Sequence, residues 1–335
     1  MLDHLVPPPD GLLFPDSADL AIIEAADGVR LRAVFLKPAA MPCKGTIFVL
    51  QGRAEYIEKY GEVFTRLLAR GFAVASLDWR GQGGSDRQLR DPRKGHVEDF
   101  GDYLLDLDAL LAEADARAMP RPYGLLAHST GGAIALHALT RDETRTSLKA
   151  PFRRAMLSSP LVGIAGMAGK AGLRLLARAL ASIGLSGFFV PMGGPHSIFE
   201  KPFEGNPLTS DPARYANGAR WIAAEPELGI GDPTIGWADA AFDAMAEFAE
   251  DDFGQTNRTP VLMVIAGADT VVDARASTAL ALRMRGASAI TLHGSRHEIL
   301  MERDAVQTGF WTAFDAFMQL GDSEQPAEAV QADPA

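Results

Sequence analysis

The sequence predicts an α/β protein built on one mostly parallel sheet. An antiparallel hairpin is expected at its amino-terminal edge and a helical lid after its sixth strand. Three observations carry that expectation. Short apolar runs alternate with helical stretches of ten residues or more, the rhythm of right-handed strand–helix–strand crossovers. Asp27-Gly28 falls between two early strand-like runs, a strong hairpin signal. Between residue 158 and about residue 237 the rhythm stops, giving way to Gly/Pro-rich loops and two helical stretches.

Taken in order, the hairpin joins residues 20–24 to 30–36, and Thr46 to Leu50 form a short apolar strand. A helical pattern over 57–70 ends at Gly71, a suitable stop. The fourth strand spans 72–77, and a Gly-rich loop leads to a helix over about 97–117. A buried strand at 123–127 runs into an apolar helix from Ala133, and 154–157 make the sixth strand. Within the lid, helices are expected at 167–183 and 212–225, the second with Asp211 as N-cap ahead of Pro212. A strand at 261–265, a helix at 274–285, a strand at 289–292 and a helix at about 304–319 complete the pattern. The chain thus divides into core residues 1–157, lid residues 158–237 and core residues 238–320. The acidic tail 321–335 is expected to be disordered.

Composition narrows the function. With 335 residues, 47% of them hydrophobic, the chain is long enough to bury a substantial core. A net charge of −11 argues against a nucleic-acid partner, whose phosphates require a Lys/Arg surface. The single cysteine, Cys43, excludes an intrachain disulfide framework. Met1 to Val6 lack the basic region of a secretion signal, and the most apolar stretch, residues 164–185, is interrupted by Lys170, Arg174 and Arg178. The cytoplasm is therefore the expected compartment, with peripheral contact with the inner membrane left open.

The chemistry concentrates at Ala127-His128-Ser129-Thr130-Gly131-Gly132. A serine between a buried strand and a helix lies on a strained turn that lifts its hydroxyl clear of the sheet. Its neighbours must be small, and Ala127, Gly131 and Gly132 are. A serine hydroxyl needs a base to take its proton and an acid to orient that base. On such a sheet these follow in the order Ser, Asp/Glu, His, each just after a strand. Asp269 follows the strand at 261–265, and His297 lies on the loop before the last helix. Asp273 is the rival acid but reads as a helix N-cap; His293 is the rival base but sits at a strand end and reads as too deep. Two N–H donors for an oxyanion are expected from Thr130 and from the backbone of Arg53, in the loop Gln51-Gly52-Arg53-Ala54-Glu55. Asp78 to Ser85 lack the spacing of a nucleotide-binding loop and read as a tight turn braced by Asp78 and Arg80. Phe188, Phe189, Phe199, Phe203, Trp221 and Trp237 either line an acyl-chain tunnel or form the lid's own small core.

Several stretches together resemble α/β-hydrolases of the monoacylglycerol lipase and lysophospholipase branch, closest to the bacterial lysophospholipase L2 type. They are Gln51 to Tyr56 with Lys59-Tyr60, Asp78 to Ser85, Lys94-Gly95-His96-Val97, Ala127 to Ala135, Gly231 to Trp237 and His297-Glu298-Ile299-Leu300. The resemblance covers about residues 45–302. It implies Ser129 as nucleophile, Asp269 as acid, His297 as base, and Arg53 and Thr130 as oxyanion donors. It calls for neither cofactor nor metal. The implied substrates are single-chain acyl lipids, with Trp237, Phe199 and Arg53 as candidate contacts and the lid as a candidate membrane contact. Gln51-Gly52-Arg53-Ala54-Glu55 departs from the H-G-x-G-E of eukaryotic-like monoacylglycerol lipases, which favours the lysophospholipase relatives. A short-chain carboxylesterase, a thioesterase or a peptidase on the same triad remains an alternative, and a non-catalytic binding protein of this fold a remote one.

Overall fold

The computed structural model describes residues 1–39, 43–140, 151–167 and 171–320; the tail expected to be disordered lies outside the described residues. The strands are β1 (Asp19–Glu24), β2 (Arg30–Leu36), β3 (Thr46–Leu50), β4 (Ala73–Leu77), β5 (Tyr123–His128), β6 (Phe152–Ser158), β7 (Val261–Ala266) and β8 (Ala287–Leu292). They form one sheet in the order β1-β2-β4-β3-β5-β6-β7-β8. The β1–β2 and β2–β4 pairs are antiparallel and all later pairs parallel. At the hairpin, Gly28 takes a φ of +85°, which the tight turn needs.

The helices are α1 (Gly61–Ala69), α2 (Asp102–Ala116), α3 (Thr130–Thr140), α4 (Ala171–Leu180), α5 (Pro212–Ala224), α6 (Ile235–Phe248), α7 (Ala274–Arg283) and α8 (Asp304–Phe317). The sheet is buried on both faces, and the period-two alternation of its strands divides the core. Phe48, Leu50, Leu125 and Ala127 face one layer, packed with Leu107 and Leu110 of α2 and Ile134 of α3. Ile47, Val49 and Leu126 face the other, packed with Phe64 of α1 and Phe310 and Phe314 of α8.

Three local differences from the sequence reading have physical causes. The pattern at 57–70 splits into a 3-10 turn, Ile57–Tyr60, and α1, because the Asp78 carboxylate captures the Ile57 N–H at 2.8 Å. Helix α2 starts late because Asp99 holds the Gly101 N–H at 2.7 Å. Helix α6 went unassigned in the sequence. Its signal was present: Thr234 caps it by accepting from the Trp237 N–H at 3.2 Å, and Ile235, Trp237, Ala240, Ala241, Ala244 and Phe248 make one buried stripe.

Between β6 and β7, α5 and its loops cover the segments that follow β3 and β8, and α4 lies against α6. A small cluster of Phe199, Tyr215, Trp221, Ile222 and Leu228 packs there with Tyr56 and the amino-terminal Leu2 and Val6. A buried ionic knot fastens the base of this region. Arg32 bonds both Glu58 oxygens at 2.8 and 2.7 Å and the Asp78 carboxylate at 2.8 Å, and donates to the His4 carbonyl at 3.0 Å. Burial would lower the Arg32 pKa, but the adjacent Asp78 and Glu58 charges outweigh it and hold the cation firmly protonated. Removing one member of such a group strands a charge in the interior. Asp78→Ala is expected to cost about 3–5 kcal/mol, read as a lowered urea midpoint at neutral pH; an unchanged midpoint contradicts this account.

Candidate active site

The parallel register sets neighbouring strand ends side by side. Leu50 of β3 pairs with Ala127 of β5, and His128 of β5 with Ser158 of β6, so the loops that follow meet at one rim. Ser129 follows β5 with φ at +51°, a left-handed conformation that a side chain rarely adopts. The turn is held by the Ser129 N–H on the Ser158 carbonyl at 3.1 Å and by the Leu161 N–H on the Ser129 carbonyl at 3.0 Å. Helix α3 therefore starts at Thr130, directly after the serine rather than at Ala133. The small neighbours are obligatory: a Cβ on Gly131 would stand 2.3 Å from the Leu50 carbonyl oxygen, and one on Gly132 2.7 Å from Pro160 Cβ.

The structure brings Ser129, His297 and Asp269 together. His297 Nε2 is 3.0 Å from Ser129 Oγ, and His297 Nδ1 is 2.8 Å from Asp269 Oδ2. The other Asp269 oxygen accepts from the N–H groups of Val271 and Val272 at 2.8 and 3.0 Å. Burial would raise the Asp269 carboxyl, but the His297 hydrogen bond and charge, with those two N–H groups, hold it below its ordinary value. The carboxylate can thus orient the imidazole and stabilise its protonated form, while Nε2 can take the serine proton. Asp273 instead caps α7, accepting from the Arg275 N–H at 2.9 Å. His293 is exposed just past β8 rather than too deep, whereas His297 is buried.

The loop after β3 runs beside the serine: a Cβ on Gly52 would come within 3.2 Å of Ser129 Cβ. Neither the Arg53 nor the Thr130 N–H donates to a protein acceptor among the described residues. The loop is set by side chains whose roles the sequence did not disclose. Gln82 Nε2 donates to the Gly52 and Glu55 carbonyls at 2.8 and 3.0 Å, and Gln82 Oε1 accepts from the Ala54 N–H at 3.2 Å. The Glu55 carboxylate accepts from the Gly52 N–H and from the Tyr60 hydroxyl. Asp78 and Arg80 brace the turn as expected, Arg80 through Asp106 and Asp27.

Beneath the triad lies a buried charged group. Lys59 Nζ bonds Glu55 at 2.6 Å and Glu298 at 2.7 Å. Glu55, His128 and Glu298 offer ligand atoms within 4.8 Å of one another, a spacing that suits a metal ion, but the Lys59 ammonium already bonds both carboxylates. Burial would raise the Glu55 carboxyl, yet the Lys59 charge and the hydrogen bonds from Lys59 and Tyr60 bring it down to about 2. Burial raises Glu298. His128 lies against His297 with centroids 4.8 Å apart and planes tilted by 51°, and burial pulls its pKa down to about 4, keeping it neutral. The i,i+4 spacing of Glu55 and Lys59 was the one sequence signal for this group.

The candidate substrate contacts fall in different places. Phe199 and Trp221 are buried in the covering region's own cluster. Trp237 belongs to the main core, its indole N–H on the Tyr103 hydroxyl at 3.1 Å, and Phe188 is exposed. Arg53 reaches across to the Gly231 carbonyl at 2.9 Å and lies 5.2 Å from the Trp237 ring. It makes no pair with Glu55 or Glu58, because Lys59 and Arg32 hold those carboxylates.

The family model described as serine aminopeptidase, S33 (Hydrolase_4), matches residues 41–304. Lysophospholipase L2 of Escherichia coli K12 is 31% identical over 302 residues, 87% of this chain and 84% of that protein. The fold is similar to a soluble variant of monoglyceride lipase from Saccharomyces cerevisiae, solved with a substrate analogue. That likeness has a TM-score of 0.69 and 19% identity, over 91% of this chain and 96% of that one. It is also similar to a thermostable carboxyl esterase from Bacillus coagulans, with a TM-score of 0.71 and 19% identity over 91% and 100%.

Two predictions follow from the geometry. Ser129→Ala is expected to abolish labelling by a fluorophosphonate, and Asp269→Asn to lower p-nitrophenyl ester turnover about 10⁴-fold; a labelled peptide lacking Ser129 contradicts the assignment. His137, like His128, is pulled by burial from 6.5 down to about 4. Folded-state values below the unfolded ones mean that the unfolded chain binds more protons between about pH 6.5 and 4, so stability falls as pH falls through that window. His137→Phe, beside Phe248 and Phe253, is expected to flatten the dependence of the urea midpoint between pH 7 and 5, and an unaltered slope argues against it.

Proposed function

Because the chain belongs to the serine aminopeptidase S33 (Hydrolase_4) family of α/β-hydrolases, we propose that it is a serine hydrolase of single-chain acyl lipids. The observation that carries this reading is the unbroken run of hydrogen bonds from Asp269 through His297 to Ser129. The relatedness to lysophospholipase L2 over most of both chains supports the lipid substrate class.

In this mechanism the Ser129 oxygen attacks the ester carbonyl as its proton passes to His297 Nε2. The carbonyl oxygen gains negative charge and is received by the Arg53 and Thr130 N–H groups, already oriented before the substrate arrives. His297 then returns the proton to the departing glycerol oxygen, leaving an acyl-serine. Water repeats the sequence with His297 as base, releasing a fatty acid and the free serine. Asp269 stays ionised throughout.

Residues 158–237 act as a lid in this reading, sheltering the acyl chain, and the protein works in the cytoplasm with peripheral contact to lipid. No helix among the described residues is long and apolar enough to cross a membrane. Arg174 and Arg178 of helix α4 pair at the surface with Asp239 and Asp243 of α6. Leu175 and Leu176 of α4, with Ile183, Phe188 and Met192 beyond it, are left exposed. That surface suits insertion into the edge of a lipid aggregate.

A panel of lysophosphatidylethanolamine, monoacylglycerol, p-nitrophenyl butyrate and a short aminoacyl-peptide is expected to show the highest kcat/KM on the lipids; preference for the peptide overturns the reading. Replacing Leu175 and Ile183 together by Glu is expected to reduce co-sedimentation with anionic vesicles and turnover of aggregated lipid. Turnover of p-nitrophenyl butyrate should be unaltered, and undiminished sedimentation contradicts the membrane contact.

A further inference from the structure

Most buried basic side chains of this protein are matched to acceptors; Arg53, beside Ser129, and Arg283, on α7, each keep a buried Nε without a partner among the described residues. Arg32 has Glu58 and Asp78, Arg80 has Asp106 and Asp27, and Lys59 has Glu55 and Glu298. Arg87 has no carboxylate, but its donors are taken by the carbonyls of Ser85, Pro92 and Glu227. Arg53 has neither arrangement. A guanidinium carries five N–H donors, and among the described residues Arg53 uses only the bond to the Gly231 carbonyl. Its Nε is buried with no partner, and no carboxylate lies within 4.0 Å of it among the described residues.

A counter-ion was within reach of the sequence. Asp232 follows Gly231 directly, yet its carboxylate turns to the Gly194 N–H at 3.0 Å and to Lys201 at 3.8 Å. The guanidinium thus has the Gly231 carbonyl, the Trp237 ring at 5.2 Å and the more distant Asp232 charge, but among the described residues no paired carboxylate, and its buried Nε is without a partner there. Burial lowers the Arg53 pKa to about 10, which still leaves it cationic near neutral pH.

Position says what that partner is. Gly52 abuts Ser129, and the side chain of the next residue runs from the oxyanion loop to the covering region, passing Gly95, where an added Cβ would stand 3.5 Å from Nη2. The residue as a whole is only half-buried. An ester whose carbonyl sits on the Arg53 N–H lies within one side chain's length of this guanidinium. A phosphate one glycerol away from the ester meets the donors that the protein leaves free, and Arg suits phosphate through its planar fork.

Resting on the acyl-lipid reading, we propose that the Arg53 guanidinium receives the phosphodiester of the substrate head group and so selects lysophospholipids over monoacylglycerols. The test compares 1-palmitoyl lysophosphatidylethanolamine with 1-palmitoylglycerol. Arg53→Met is expected to lower kcat/KM for the lysophospholipid roughly ten- to hundredfold more than for the monoacylglycerol, and Arg53→Lys to recover part of the difference. A second measurement needs no variant: glycerol 3-phosphate should slow fluorophosphonate labelling of Ser129 in the wild-type enzyme, and glycerol should not. Equal losses on the two lipids, or protection by glycerol equal to that by glycerol 3-phosphate, overturns the proposal. Protection by inorganic phosphate as strong as by glycerol 3-phosphate, without a difference between the lipids, marks a general anion site and overturns it too. If the wild-type enzyme hydrolyses p-nitrophenyl esters but neither lipid, the substrate reading itself has failed, and this inference falls with it.

Discussion

The ammonium of Lys59 joins the two loops on which the chemistry depends. It bonds Glu55, whose carboxylate also fixes the Gly52 N–H in the loop after β3, and Glu298, the residue next to His297. One buried cation thus spans the oxyanion side and the base side of Ser129. Burial would drive its proton off, but the neighbouring Glu298 and Glu55 charges raise its pKa instead. Because all three groups are desolvated, displacing any one exposes the others to an unbalanced field, so the loops hold a single relative position. This is preorganisation by charge, in a site where donors must already point at the developing oxyanion.

The same group shapes what His297 experiences. In the proposed mechanism the imidazole that takes up the serine proton faces Asp269 across 2.8 Å and lies, tilted by 51°, against a His128 ring that burial keeps neutral. A protonated His128 would oppose that new charge; a neutral one does not. The covering region is tied into this arrangement. The Glu298 N–H donates to the Leu208 carbonyl at 2.8 Å, and Thr209 Oγ1 to the Met301 carbonyl at 2.7 Å. His96 meets Thr234 at the start of α6 at 2.8 Å. The segment over the strand ends and the loop carrying the base therefore share hydrogen bonds.

Much of the frame was legible in the sequence because its signals are local. Strands β2 and β3 were read to the residue, since β3 is a short apolar run after Lys44-Gly45 and β2 is fixed between the Asp27-Gly28 turn and Lys37-Pro38. Ser129, Asp269 and His297 were legible for a related reason: each follows a strand, and parallel strands deliver their following loops to one rim. Asp273 was correctly read as a cap because its helix begins immediately after it. Helix α6 was missed because the middle of its stripe is alanine (Ala240, Ala241, Ala244), which scarcely contrasts with its polar face. His293 was set aside for the wrong reason: it is exposed, since β8 is the last strand of the sheet and its end projects into solvent.

Sequence by itself determined the alternation that builds the sheet, the small residues required around a left-handed serine, and the chain order of serine, acid and base. Those features rest on backbone sterics and on side-chain periodicity, which operate over a few residues. Only the tertiary structure decided which carboxylate each cation would meet. Arg53 has Glu55 and Glu58 close by in the chain and pairs with neither, because Lys59 and Arg32 reach them first from the packed interior. Electrostatic partnership in a desolvated core depends on distances and burial that arise when remote segments converge. Linear spacing cannot encode that competition, and from it comes the arginine beside the serine that has no carboxylate partner among the described residues.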